Sequence, residues 1–193
     1  LLFIYLSGAR GINADFIEGV DFMGFANNPL EAPDPDHQLF GGAATSNASL
    51  TATDIMSPMV IERAAEKAAM MQAENPESAN MVPVNIDGGE HYCVVMSEYQ
   101  ATDLRTAAGG TWIDFQKAAA GAEGRNNPLF KGGLGMINNV VLHKHRNAIR
   151  FNDYGAGANV EAARALFMGR QAGVIAYGTA GGMRFDWKEK EKD

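Results

Sequence analysis

The clearest periodic signal along the chain lies between two prolines. Ser57 is a favourable N-cap and Pro58 suits the first helical position. Val60, Ala64, Ala68 and Met71 then repeat at helical spacing, with Glu62, Arg63, Glu66 and Lys67 on the other side. This predicts an amphipathic helix that ends before Pro76. The period then changes to two. Val84-Asn85-Ile86 and His91-Tyr92-Cys93-Val94-Val95-Met96 flank Asp87-Gly88-Gly89, which predicts a hairpin. Ser97 and Gln100 form a capping-box pattern that starts a helix through about Leu104. Thr111 caps a helix from Trp112 to about Ala120. Residues 137–143 and 148–151 read as strands, 159–167 as a helix capped by Asn159, and 173–177 as a final strand.

The remaining segments are less regular. Residues 1–7 read as the end of a helix or a buried strand, broken by Gly8 and Gly11. Residues 27–48 are rich in Pro, Gly, Asp, Asn and Ser, and Pro33-Asp34-Pro35-Asp36 excludes a regular helix there. A loop of that length is expected to be functional or packed on a partner. The mixed order of helices and strands predicts an α+β domain with helices flanking a mixed sheet, and no solenoid period is present.

Composition narrows the function classes. The chain has 193 residues, 46% hydrophobic and 20% charged, with a net charge of −7. That balance disfavours sequence-independent nucleic-acid binding, which needs a basic surface. The single cysteine, Cys93, excludes an intrachain disulfide. No apolar run is long enough to span a membrane, and no signal peptide is evident. The first residue is leucine and the last seven are Trp187-Lys188-Glu189-Lys190-Glu191-Lys192-Asp193, which reads as a piece of a longer protein.

Candidate chemistry is sparse. Gly132-Gly133-Leu134-Gly135 precedes a strand rather than a helix and lacks the spacing and the lysine-serine pair of a phosphate loop. His143 and His145 could share one strand face as metal ligands, but Lys144 and Arg146 flank them, and His37 and His91 lie in unrelated segments. Surface histidines are the simpler reading. Cys93 sits in an apolar run and reads as an inert thiol. Asp103 and Arg105 read as a surface or interface ion pair. Arg150-Phe151-Asn152-Asp153-Tyr154-Gly155-Ala156-Gly157 reads as a contact loop, toward another copy of the chain rather than a ligand. No catalytic, cofactor-binding or metal residue is assigned.

Several strings resemble the major capsid proteins of tailed double-stranded DNA bacteriophages, in particular the N-4-like coat protein family. They are Tyr5-Leu6-Ser7-Gly8-Ala9-Arg10-Gly11; Val94-Val95-Met96-Ser97 leading into Asp103-Leu104-Arg105; and Ala122-Glu123-Gly124-Arg125-Asn126-Asn127-Pro128-Leu129-Phe130-Lys131-Gly132. Asn139-Val140-Val141-Leu142-His143, the run from Ile149 through Gly157, and Ala162-Ala163-Arg164-Ala165-Leu166-Phe167-Met168-Gly169-Arg170-Gln171-Ala172-Gly173 follow in the same order.

The resemblance implies the Hong-Kong-97-type capsid fold. Residues 1–48 would then be the end of the spine helix and a long connecting loop of the peripheral domain. Residues 49–193 would be the axial domain and the start of the return to the peripheral domain. The implied function is structural and non-enzymatic: self-assembly into hexamers and pentamers of an icosahedral head enclosing double-stranded DNA, without sequence-specific binding. Scaffolding, cement and portal proteins are the implied partners, without cofactor or membrane, and the implied location is the virion capsid, assembled in the bacterial cytoplasm. The alternatives are an encapsulin-like compartment shell and a metal-dependent hydrolase using His143 and His145.

Overall fold

The computed structural model of the chain describes residues 33–78, 80–86, 88–107 and 134–173. The elements expected at residues 1–7, 112–120 and 174–177, and Gly132-Gly133, lie outside the described residues. Two helices, α1 (Pro58–Glu74) and α2 (Glu98–Ala107), accompany seven strands. The strands are β1 (Val84–Ile86), β2 (Gly89–Met96), β3 (Gly135–Ile137), β4 (Val140–Lys144), β5 (Arg150–Tyr154), β6 (Val160–Ala163) and β7 (Leu166–Met168).

The larger sheet runs β1-β2-β4-β3, with β7 also paired to β2. β1 and β2 form the expected hairpin, with Ile86 opposite Gly89 and Gly88 at φ +83°. β2 and β4 are parallel, Tyr92 opposite Val140 and Met96 opposite Lys144. β7 runs antiparallel to β2, with Phe167 opposite Val94. The single strand expected over 137–143 is instead a hairpin of β3 and β4 turned at Asn138 and Asn139, whose φ values are +43° and +61°. Asparagine tolerates this left-handed pair, which a tight hairpin requires, so Asn-Asn interrupts an apolar run that otherwise looks continuous.

One apolar cluster holds the helices on this sheet. Val94 and Met96 of β2, Val140 and Leu142 of β4 and Ile137 of β3 meet Ile61 and Ala65 of α1 and Ala101 and Leu104 of α2. Met96, Leu104, Val140 and Leu142 are completely buried. Burying a side chain of that size stabilises by about 1.5–3 kcal/mol each. The buried stripe of α1 is Ile61, Ala65, Ala68 and Met71, one position off the expected Val60 and Ala64, which are half-buried. The sheet takes Ile61 and Ala65, whereas Val60 and Ala64 line a cavity that α1 shares with the residues before it. Pro58 occupies the first turn as expected; Ser57 stands at the N-cap with extended backbone, but its hydroxyl makes no capping bond.

α2 begins as its sequence requires. The Gln100 amide donates to Ser97 Oγ at 3.2 Å, and Ser97's own amide donates to Gln100 Oε1 at 3.0 Å, a reciprocal capping box. The helix runs three residues beyond Leu104.

The helix expected over 159–167 is replaced by β6 and β7. Its Ala, Glu, Arg and Leu residues favour helix intrinsically, but Ala162 pairs with Phe151 of β5, and Leu166 and Phe167 pair with β2. Tertiary pairing outweighs a propensity preference worth only tenths of a kcal/mol per residue.

Candidate assembly surface

β5 and β6 form a small second sheet with an irregularity between Phe151 and Tyr154. It carries most of the run expected to be a contact loop, and the aromatic residues of that run are not displayed. Ile149, Phe151 and Tyr154 are buried together, with Leu50, Val160 and Ala162 packed against them. The Phe151 and Tyr154 rings stack at 5.0 Å. The Arg164 guanidinium lies 4.7 Å from the Phe151 ring centroid and donates from Nη2 to Tyr154 Oη at 3.0 Å. The expected loop is therefore a strand whose Phe151 and Tyr154 face a core, three apart because the pairing is irregular between them; only the turn after Tyr154 remains loop. Gly155 there has φ +82°, and a Cβ on it would stand 2.6 Å from Val160 Cγ2. Glycine is required at that point.

Residues 33–56 form a strap along α1, with short 3₁₀ turns at Pro35–His37 and Asn47–Ser49. Side chains of α1 hold it: Arg63 Nη1 donates to the Gly42 carbonyl at 2.7 Å, and Lys67 Nζ to the Gln38 carbonyl at 3.1 Å. At the far end of the helix, Ser78 Oγ and Asn75 Nδ2 donate to Asp36 Oδ2 at 2.6 and 2.7 Å. These bonds hold the Asp36 carboxyl below its ordinary range. The Thr51 hydroxyl and amide do the same for Asp54. The Gly155 amide donates to the Asn47 carbonyl at 2.9 Å, tying the strap to the second sheet. A cavity of about 680 Å³ runs under the strap, lined by Leu39, Phe40, Val60, Ala64 and Phe167 among others. Asp36 and Asp54 in its lining already accept hydrogen bonds, from Ser78 and Asn75 and from Thr51.

At the end of the larger sheet, where β2 and β4 both finish, polar side chains collect. Lys144 Nζ meets Glu98 Oε2 at 2.8 Å, and the Arg150 guanidinium lies 5.3 Å from the Tyr99 ring centroid. Tyr99 remains 66% exposed. Sequence reasoning missed this grouping, because residues 98–99 and 144–150 are brought together only by the parallel pairing of β2 and β4. The cluster of basic residues from Lys144 to Arg150 was the available signal.

The candidate chemistry does not converge. His143 is half-buried on β4; His145 lies past the strand end, where its Nδ1 accepts the Asn147 amide at 3.2 Å. Among the described residues no three His, Cys, Asp or Glu side chains stand close enough to hold a metal. Burial pushes the Cys93 thiol above its ordinary range, which makes it a poor nucleophile. Asp103 and Arg105 are two apart on α2 and face different directions; Arg105 Nε donates instead to the Ala101 carbonyl at 3.1 Å.

Among the described residues, then, polar side chains fasten strap to helix and helix to strand. The chain belongs to the phage capsid protein family, whose model matches residues 1–193. It is similar over its whole length to the capsid of Ralstonia phage GP4, at 63% identity and a TM-score of 0.85. It is also 36% identical over 76 residues to the major capsid protein of Pseudomonas phage KPP25. The chain spans 53% of the first of these proteins, and the match to the second covers 19% of it and 36% of this chain.

Proposed function

We propose that this chain is part of a major capsid protein that self-assembles into the hexamers and pentamers of an icosahedral phage head around double-stranded DNA. The carrying observation is the likeness to a solved phage capsid across the entire chain at a TM-score of 0.85 and 63% identity. The role is structural and non-enzymatic. On this reading the subunit has the Hong-Kong-97-type fold. Residues 1–48 belong to the end of the spine helix and its connecting loop, and residues 49–193 to the axial domain and the start of its return to the peripheral domain. The irregular course of residues 33–48, anchored on α1 through Arg63 and Lys67, supports the connecting-loop part of that assignment. Both relatives are phage coat proteins, which favours a phage head over a bacterial compartment. The partners are other copies of the chain, with scaffolding, cement and portal proteins alongside, and the site of assembly is the host cytoplasm.

Negative-stain microscopy of the full-length protein that contains this chain, expressed in bacteria with a scaffold supplied, tests this. Closed particles of uniform diameter are expected; protein that remains monomeric at high concentration would overturn the reading.

A further inference from the structure

Five-fold and six-fold rings are built from heterologous contacts, in which one patch of each copy meets a different patch of the next. Two such patches stand at opposite ends of β4. At its start, Asn138 Nδ2 donates to Glu62 Oε2 at 2.7 Å, which fixes the outer face of α1 at that end. That face carries Met59, Glu62, Glu66 and Met70 at helical spacing; Met59 is 71% and Met70 47% exposed, and both glutamates are exposed. The helix's own cations, Arg63 and Lys67, turn away to the strap carbonyls and do not neutralise this face.

At the other end of β4, four residue steps and about 13 Å away at the strand's rise of 3.3 Å per residue, lies the patch of opposite sign. Lys144 and Arg146 are exposed, and Arg150 lies over the exposed Tyr99 ring. Glu98 pairs with Lys144, and the exposed Arg146 adds a second cation beside that pair. Each patch combines charge with exposed apolar surface: methionine with glutamate on one, tyrosine with lysine and arginine on the other. Three of the four large hydrophobic residues left exposed among the described residues, Met59, Met70 and Tyr99, fall in these two places.

We propose that the Met59–Glu62–Glu66–Met70 face of one copy docks on the Tyr99–Lys144–Arg146–Arg150 patch of the next, head to tail, around the ring. The proposal rests on the shell reading above and names the surfaces that make its rings. Charge complementarity sets the register and excludes face-to-face pairing of like patches, and the methionines and tyrosine supply the apolar contact.

The test exchanges charges. One variant carries Lys144→Glu and Arg146→Glu; a second carries Glu62→Lys and Glu66→Lys. Each alone should associate at least about tenfold more weakly than the unchanged protein in sedimentation, as close interfacial charge pairs dictate. Mixed in equal amounts they should associate again, since every contact in an alternating ring is then complementary. Alternation closes a six-membered ring but not a five-membered one, so rescue should appear as hexamers or open sheets rather than closed shells. The milder pair, Lys144→Gln with Arg146→Gln, should fall between, and melting followed by circular dichroism should match the unchanged protein for every variant. If each reversed variant assembles as the unchanged protein does, or folded variants fail to rescue one another, this docking is wrong while the shell reading stands. All variants are made in the full-length protein, and if its unchanged form assembles into nothing, both fail.

Discussion

Around Met96 and Leu142 the chain stacks apolar side chains from two helices and three strands of the larger sheet. Around Phe151 and Tyr154 it has two short strands, one irregular pairing and the strap residue Leu50. There the gap is closed by an arginine laid over one ring and bonded to the hydroxyl of the other. A region with many apolar contributors can be specified by periodicity alone. A region with few is specified by particular side-chain bonds and one obligatory glycine, and those leave no periodic trace.

The contrast can be broken most strongly from the larger cluster. Leu142→Ala removes a completely buried side chain and should cost about 2–5 kcal/mol in denaturant unfolding, lowering the stability of both clusters together. If the loss were confined to β3 and β4, the two-helix cluster would not be the common support. Gly155→Ala acts on the smaller region. The positive φ of +82° alone costs a side-chain-bearing residue about 1–2 kcal/mol, and the contact with Val160 adds to it. Hydrogen exchange should show β5, β6 and the strap near Asn47 opening, with β2 and β4 protected. Tyr154→Phe keeps the ring stack and deletes only the acceptor of Arg164; a loss of about 1 kcal/mol is expected. An unchanged unfolding midpoint would mean that Arg164 steadies nothing.

The smallest effect is on the strap. Asp36 and Asp54 are held below the ordinary value of 3.8 by their hydrogen bonds. A lowered folded-state value means their contribution is fully present above the ordinary value and is lost as pH falls below it and through the lowered folded-state value. Limited proteolysis with an acid-active protease should therefore cut within residues 36–54 faster at pH 3 than at pH 5, before the core yields. Asn substitution at both positions should flatten that dependence.

The same contrast explains what the sequence made legible. α1, the β1–β2 hairpin and the Ser97–Gln100 capping box follow from local signals, and each is present. The β3–β4 turn was readable in principle from Asn138-Asn139, but the apolar run through it masked the break. β6 and β7 were not readable as strands, because Glu161-Ala162-Ala163-Arg164 favours helix until β5 and β2 are in place to pair with it. The loop reading of residues 150–157 fails for a related reason: Phe151 and Tyr154 look displayed until Arg164, ten residues beyond the tyrosine, is folded back onto them. The exposed patch at Tyr99, Lys144 and Arg150 depends on a parallel pairing between strands more than forty residues apart in sequence.

The most direct test of the shell reading is a reconstruction of the assembled particle by electron cryomicroscopy. The account predicts closed icosahedral shells in which the larger sheet, α1 and α2 sit around the five-fold and six-fold axes, with the strap on the side away from the axis. A particle in which residues 49–173 lie away from every capsomer axis, or a protein that forms no closed shell, would contradict it.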